Sequence, residues 1–361
     1  MAPDELVNLF DFEARARAVL PKPCFDFFAG GAADEVTMRE NRRAFDEIDL
    51  RYRVLAGVDN RDLSCSLFGS QASMPVLIAP TGFHKMAHPD GELAMARAAA
   101  EAGVIMVVST MANFTLEEVR AASPGPMWFQ LYVYKDRGVT RSLVQRAEAA
   151  GYNAIQVTVD LPVLGRREAD IRNRFGLPEG LRIANLEISG LGELSSVRDD
   201  SGVAAYTMRM LDSSLTWKDI EWFKSLTKLP LLVKGVIRGD DAMKALESGA
   251  DGVVVSNHGG RQLDTAPATI RALPEVAEAM AGRGTIVIDG GIRRGTDIIK
   301  CLALGAHAVQ IGRPPLWGLA AGGQAGVVQL FNILRYELDN ALALCGCRSL
   351  AAITRDLIRA R

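Results

Sequence analysis

Glu247-Ser-Gly-Ala-Asp-Gly-Val-Val-Val-Ser-Asn-His258 holds one complete joint of the fold. Glu247-Ser-Gly249 closes an Ala/Leu-rich segment with the glycine expected at a helix C-cap. An apolar, β-branched run follows at once and reads as a buried strand. It ends abruptly in Ser256, Asn257 and His258, with Arg261, Gln262 and Asp264 close behind. A strand here delivers polar side chains into a loop. Gly259 and Gly260 let backbone or ligand approach that loop closely.

The same joint recurs along the chain: Glu101-Ala-Gly103 before Val104, Ala149-Ala-Gly151 before Tyr152, Ala303-Leu-Gly305 before Ala306. Apolar runs at 75–80, 104–109, 127–132, 154–160, 230–234, 252–257, 285–289 and 308–312 make eight candidate strands. Thr115-Leu-Glu-Glu118 and, more weakly, Thr216-Trp-Lys-Asp219 read as capping boxes that start intervening helices. Eight strands alternating with helices, and no Gly-x-Gly-x-x-Gly after the first, predict an α/β chain folded as a closed (β/α)8 TIM barrel rather than an open sheet. One domain over 1–361 is expected, its barrel spanning 75–345. Before it, residues 1–60 read as a helical cap, with Phe12, Ala16, Val19 and Leu20 at helical spacing and Pro21 and Pro23 as breakers. A long interval follows the fourth strand, and its polar, Gly-rich part at 176–212 reads as a lid-like loop.

A net charge of -2 removes the electrostatic case for nucleic acid or a membrane surface and directs attention to small molecules. Five scattered cysteines resemble reduced intracellular thiols more than a disulfide framework. Neither a signal segment nor a spanning apolar run is apparent, so a cytoplasmic location is expected. No cluster has metal-ligand spacing.

In such barrels the active site lies at the C-terminal strand ends. Those ends carry Thr81 and Gly82, Ser109, Gln130 and Tyr132, Thr158 and Asp160, Lys234, Ser256 and His258, Asp289, and Gly312-Arg313. The last two strands lead into Asp289-Gly-Gly-Ile-Arg293 and Gly312-Arg313, where such barrels usually bind phosphate, so a phosphate-bearing ligand is expected. His258, Asp160, Arg167 and Arg261 supply a base, a carboxylate to orient it and guanidinium groups for an anion. Proton abstraction from a 2-hydroxy carboxylate needs that set. His84, His88 and His307 have no comparable setting and read as structural.

Ser256-Asn-His-Gly-Gly-Arg-Gln-Leu-Asp264 resembles the signature of the FMN-dependent L-2-hydroxy acid oxidases and dehydrogenases, which include glycolate-, lactate- and mandelate-oxidising enzymes. The resemblance extends over Phe25-Asp-Phe-Phe-Ala-Gly-Gly31, Pro80-Thr-Gly82, Gln130-Leu-Tyr132, Thr158-Val-Asp160, Gly165-Arg-Arg-Glu-Ala-Asp170, Val233-Lys-Gly235, Asp289-Gly-Gly-Ile-Arg293 and Gly312-Arg-Pro314. It implies FMN as cofactor, with its phosphate on Gly291, Arg293, Gly312 and Arg313 and Asp289 on the ribityl chain. It further implies flavin contacts from Pro80, Thr81, Gly82, Ser109, Gln130, Thr158, Lys234 and Ser256, with Lys234 stabilising the reduced flavin. By the same carry-over His258 is the base, Asp160 supports it, Tyr132 meets the substrate oxygen, and Arg167 and Arg261 bind the carboxylate. Whether the base takes the hydroxyl proton or the α-proton is left open. The family commonly forms tetramers.

Two positions depart from the glycolate-oxidising pattern. Phe27 replaces a tyrosine, and Met111 a tryptophan. Together they predict a medium- or long-chain or aromatic hydroxy acid rather than glycolate. Gly82 stands where several oxidases have alanine, which bears on the electron acceptor. O2 reduced to H2O2 is the expected outcome, with transfer to a quinone or other acceptor as the alternative.

Overall fold

The computed structural model describes residues 6–186 and 210–361. Helix α1 (Leu9–Val19) starts at Asn8, whose side chain accepts from the Phe10 and Asp11 N–H groups while Asp11 accepts from the Asn8 N–H. Leu9, Phe12 and Ala16 are buried along one stripe, but Val19 is 51% exposed because the helix ends there. Helix α2 (Lys22–Ala29) buries Phe25, Phe27 and Phe28. Helix α3 (Val36–Arg43) is capped from far along the chain by Asp264, which accepts from Val36 N–H (3.2 Å) and Thr37 N–H (2.8 Å).

The helical segment therefore ends sooner than the predicted 1–60. Strand β1 (Ile48–Leu50) pairs antiparallel with the chain's last strand, Ile358–Ala360. Strands β2 (Cys65–Leu67) and β3 (Ser70–Ala72) form a hairpin, and the apolar-run reading misses all three short elements. Eight strands then follow: β4 (Val76–Ile78), β5 (Ile105–Ser109), β6 (Met127–Leu131), β7 (Ala154–Thr158), β8 (Leu231–Val236), β9 (Gly252–Val255), β10 (Thr285–Ile288) and β11 (Ala308–Ile311). They close into an all-parallel barrel, confirming the (β/α)8 expectation. Most end short of the apolar runs, whose last residues peel away into the loops above.

Alternate strand residues face the axis and stack in layers of four from alternate strands. The register places Ile105, Ala154, Gly252 and Ala308 lowest, then Leu77, Trp128, Leu232 and Val287, then Val107, Gln156, Val254 and Gln310. Above them come Ala79, Gln130, Lys234 and Asp289, and at the mouth Ser109, Thr158, Ser256 and Gly312. The β2–β3 hairpin closes the lower end: Leu67 and Ala72 share a cluster with Leu77 and Trp128, and the Trp128 indole N–H donates to Ser70 Oγ (3.3 Å).

Helix Leu116–Ala121 begins with the predicted capping box, Thr115 and Glu118 exchanging bonds. At Thr216 the backbone N–H donates to Asp219 (2.6 Å) and the hydroxyl to the same carboxylate. Most of the lid-like loop, 187–209, lies outside the described residues. Its near end is packed, with Ile183 and Leu186 buried, and its far end bridges Leu211 to Tyr134. All five cysteines are free. Among the described residues no helix is long and apolar enough to cross a membrane.

Candidate active site

A cavity opens at the C-terminal mouth of the barrel. It is lined by Phe27, Pro80, Thr81, Gly82, Ser109, Met111, Tyr132, Arg167, Lys234, His258, Arg261, Asp289, Gly291, Arg293, Gly312 and Arg313, all singled out from the sequence. Four further candidates stand behind the wall, three of them one hydrogen bond away and Thr158 two. Gln130 accepts from Ser109 Oγ (3.0 Å) and donates to Thr158 Oγ1 (3.0 Å), Ser256 Oγ accepts from Lys234 Nζ (2.8 Å), and Asp160 meets His258. The wall also contains Phe28, Phe83, Gln310 and Leu316, which sequence reading missed. The first two adjoin predicted residues; nothing local marks the other pair.

His258 sits just beyond β9 in the left-handed region, φ +58°, a strained backbone for a residue with a Cβ. Its surroundings impose that geometry. Asn257 and Asn41 of α3 exchange two amide bonds of 2.8 Å, and Asn257 Oδ1 also accepts from Gly260 N–H. The His258 N–H donates to Ser256 Oγ (3.1 Å). Gln262 donates to the carbonyls of Asp160 and Val163, tying the loops after β7 and β9 together.

The His258 Nδ1 lies 2.9 Å from Asp160 Oδ1. Burial pushes the Asp160 carboxyl up, but His258 and Lys234 outweigh it and hold the group below its ordinary range. An ionised carboxylate only accepts, so Nδ1 carries the proton and Nε2 keeps a lone pair. Burial also lowers the imidazole's pKa despite Asp160, which favours this neutral form.

Burial and the nearby charges of Arg167 and Arg313 push the Arg261 guanidinium well below its ordinary pKa. Arg167 is lowered by burial as well. Positive charge concentrated in a dry cavity calls for an anion. Arg261 is anchored by donating to Gly30 O (2.7 Å), and its guanidinium carbon lies 5.2 Å from the centre of the Phe27 ring. Phe27 in turn stacks on Phe175 at 4.5 Å. Tyr132 is buried, which raises its pKa and keeps its hydroxyl protonated.

The donors suit a phosphorylated flavin. Arg293 and Arg313 stand at one side, and the ion pair between Lys234 Nζ and Asp289 Oδ2 (3.2 Å) lies in the middle. Burial lowers the Lys234 pKa, but Asp289 and Asp160 more than offset it, so the lysine stays charged. Asp289 Oδ1 is buried with no protein partner among the described residues and can accept from a ligand hydroxyl. Arg313 is partly committed already, donating to Phe28 O, Gly259 O and Gly30 O at 3.0 Å each. Gly291 also serves packing: with φ +79°, a Cβ there would lie 1.9 Å from Asn41 O. His84, read as structural, is fully buried and bonds Thr81 Oγ1 (2.7 Å), so it supports a cavity residue.

The model of the FMN-dependent dehydrogenase family matches residues 16–360. The chain is 53% identical over 355 residues to glycolate oxidase 3 of Arabidopsis thaliana, covering 98% of this chain and 96% of that protein. It is also 53% identical over 357 residues to L-lactate oxidase of Nostoc sp., covering 98% of each. A solved structure of mandelate oxidase with (S)-4-hydroxymandelic acid superposes with a TM-score of 0.93 at 41% identity, covering 98% of each chain. The barrel, its polar mouth and these matches together place the chain in the FMN-dependent 2-hydroxy acid oxidase family.

Proposed function

We propose that this protein oxidises an L-2-hydroxy acid bearing a medium, long or aromatic side chain to the 2-oxo acid, with O2 reduced to H2O2. The observation that carries the reading is the 2.9 Å His258–Asp160 contact on the wall that also bears Arg167, Arg261 and Tyr132. Bound FMN supplies the two-electron acceptor. Arg167 and Arg261 bind the substrate carboxylate, a bidentate recognition by two buried guanidinium groups. Tyr132 donates to the substrate oxygen. His258 Nε2 takes one proton from the substrate, and Asp160 stabilises the resulting imidazolium. Lys234, held charged by Asp289, meets the negative charge that the oxidation leaves in the cavity. Pro80, Thr81, Gly82, Ser109, Gln130, Thr158, Ser256 and Asp289 surround the cofactor, with Arg293, Gly291, Gly312 and Arg313 at its phosphate.

Substrate size is read from Phe27 and Met111. Phe27 presents an apolar ring, backed by Phe175, where a hydroxyl would serve a small polar acid. Met111 is packed against Gly82, whose added Cβ would lie 2.9 Å from Met111 Cβ. The two positions are therefore mechanically coupled. The test is anaerobic bleaching of the flavin absorbance with glycolate, lactate, longer aliphatic acids and mandelate. Faster bleaching by the larger acids is expected; bleaching by none of them removes the reading. Turnover with an artificial dye that exceeds turnover with O2 would assign a different physiological acceptor.

A further inference from the structure

The third layer of the barrel interior is unusual in chemistry. Val107 and Val254 are apolar, but the other two members are Gln156 and Gln310, both 0% exposed. The side-chain oxygen and nitrogen of each glutamine have no protein partner among the described residues. Buried amides without partners are costly, on the order of 1–3 kcal/mol per group, and such groups ordinarily meet internal water.

The register shows that the two face each other. Strands β7 and β11 are four apart in a closed barrel of eight, hence opposite. Lateral pairing from Gln156 runs through Leu232, Gly252 and Thr285, and the Val287–Ala308 pairing puts residue 306 next. Half a circuit of such a barrel staggers the level by about four residues, which brings Gln310 level with Gln156. Opposite Cα atoms in this barrel type lie about 15 Å apart, from the strand spacing and tilt. An extended glutamine reaches about 5 Å from its Cα by ordinary bond lengths. The remaining span of about 5 Å suits two hydrogen bonds in series.

One level higher stand Lys234 and Asp289, and Asp289 Oδ1 is again unpartnered. Above Gln310 the layers carry Ala79 and Gly312, and all three residues line the cavity.

We propose that Gln156 and Gln310 hold an internal water site on the barrel axis beneath the Lys234–Asp289 pair, and act as positioning residues for that pair. Water held there donates to Asp289 Oδ1 while the two amides fix its orientation. Asp289 is then less dependent on Lys234, and the lysine charge remains available to the cavity. The proposal rests on the closed barrel and on FMN binding, not on the substrate reading.

The first test is a high-resolution crystal structure of the holoenzyme. Water density within hydrogen-bonding distance of both amides is expected; amides bonded directly to each other or to FMN would overturn the proposal. The second is the reduction potential of bound FMN, measured by dye equilibration in Gln156→Leu and Gln310→Leu. Gln156 does not line the cavity, so its variant separates the water site from direct cofactor contact. A fall in potential in both variants is expected, with Gln310→Asn restoring it. Unchanged potentials in both leucine variants would sink the idea whatever acid the enzyme oxidises.

Discussion

At the lower end of the barrel axis Leu77, Trp128 and Leu232 pack dry against the β2–β3 hairpin, whereas at the upper end the same barrel presents Ser109, Lys234 and Asp289 to a cavity. Both ends obey one alternation, in which every second residue points inward. Only side-chain chemistry changes between them. The lower layer derives its stability from apolar burial, as a closed interior must. The upper layers hold buried charge and a left-handed histidine, costs that the surrounding hydrogen bonds offset. Stability and activity are thus assigned to opposite ends of one element set.

Four variants or conditions test that division. The largest effect is expected for His258→Ala: flavin reduction slows about 10²- to 10⁴-fold, as for loss of a general base, with little change in Tm. Near-normal reduction, or a collapse of stability, would remove the assignment. At the lower end Trp128→Ala is expected to cost about 3–5 kcal/mol in a denaturant titration while leaving flavin reduction per folded molecule intact. Equal damage to both properties would show that the two ends are coupled. Phe27→Tyr restores a hydroxyl on the substrate wall and should shift preference toward glycolate by about 1.5–3 kcal/mol, seen as a ratio of kcat/KM values against mandelate. An unchanged ratio would place the size filter elsewhere.

The smallest effect concerns pH. His258 works as the neutral base, and burial lowers its pKa below the ordinary 6.5. Reduction in the free enzyme therefore holds through pH 6.5 and declines only at lower pH, as Nε2 becomes protonated. A decline centred above pH 6.5 in stopped-flow data would contradict the buried, Asp160-paired geometry.

The eight barrel strands were legible as short apolar runs, four of which directly follow a helix closed by a glycine. Polar residues at the ends of those runs marked the site, and every residue named for it lines the cavity or stands one or two hydrogen bonds behind it. What stayed hidden depends on partners far apart in sequence. Strand β1 exists because Ile358–Ala360 lies beside it, and Val36 and Thr37 are capped by a carboxylate at Asp264. The Asn41–Asn257 pair that sets the His258 turn joins residues no local pattern connects. The stacking of Phe175 on Phe27 and the facing of Gln156 and Gln310 are of the same kind.

By itself, then, the sequence determined the alternation of helix and strand, the closed barrel and the chemical identity of the groups at its mouth, since these follow from local periodicity and residue type. Only the tertiary structure decided which nitrogen of His258 is free, which arginines crowd one another and which buried amides lack partners among the described residues. Those properties are sums over neighbours brought together by chain closure, and no window of sequence contains them.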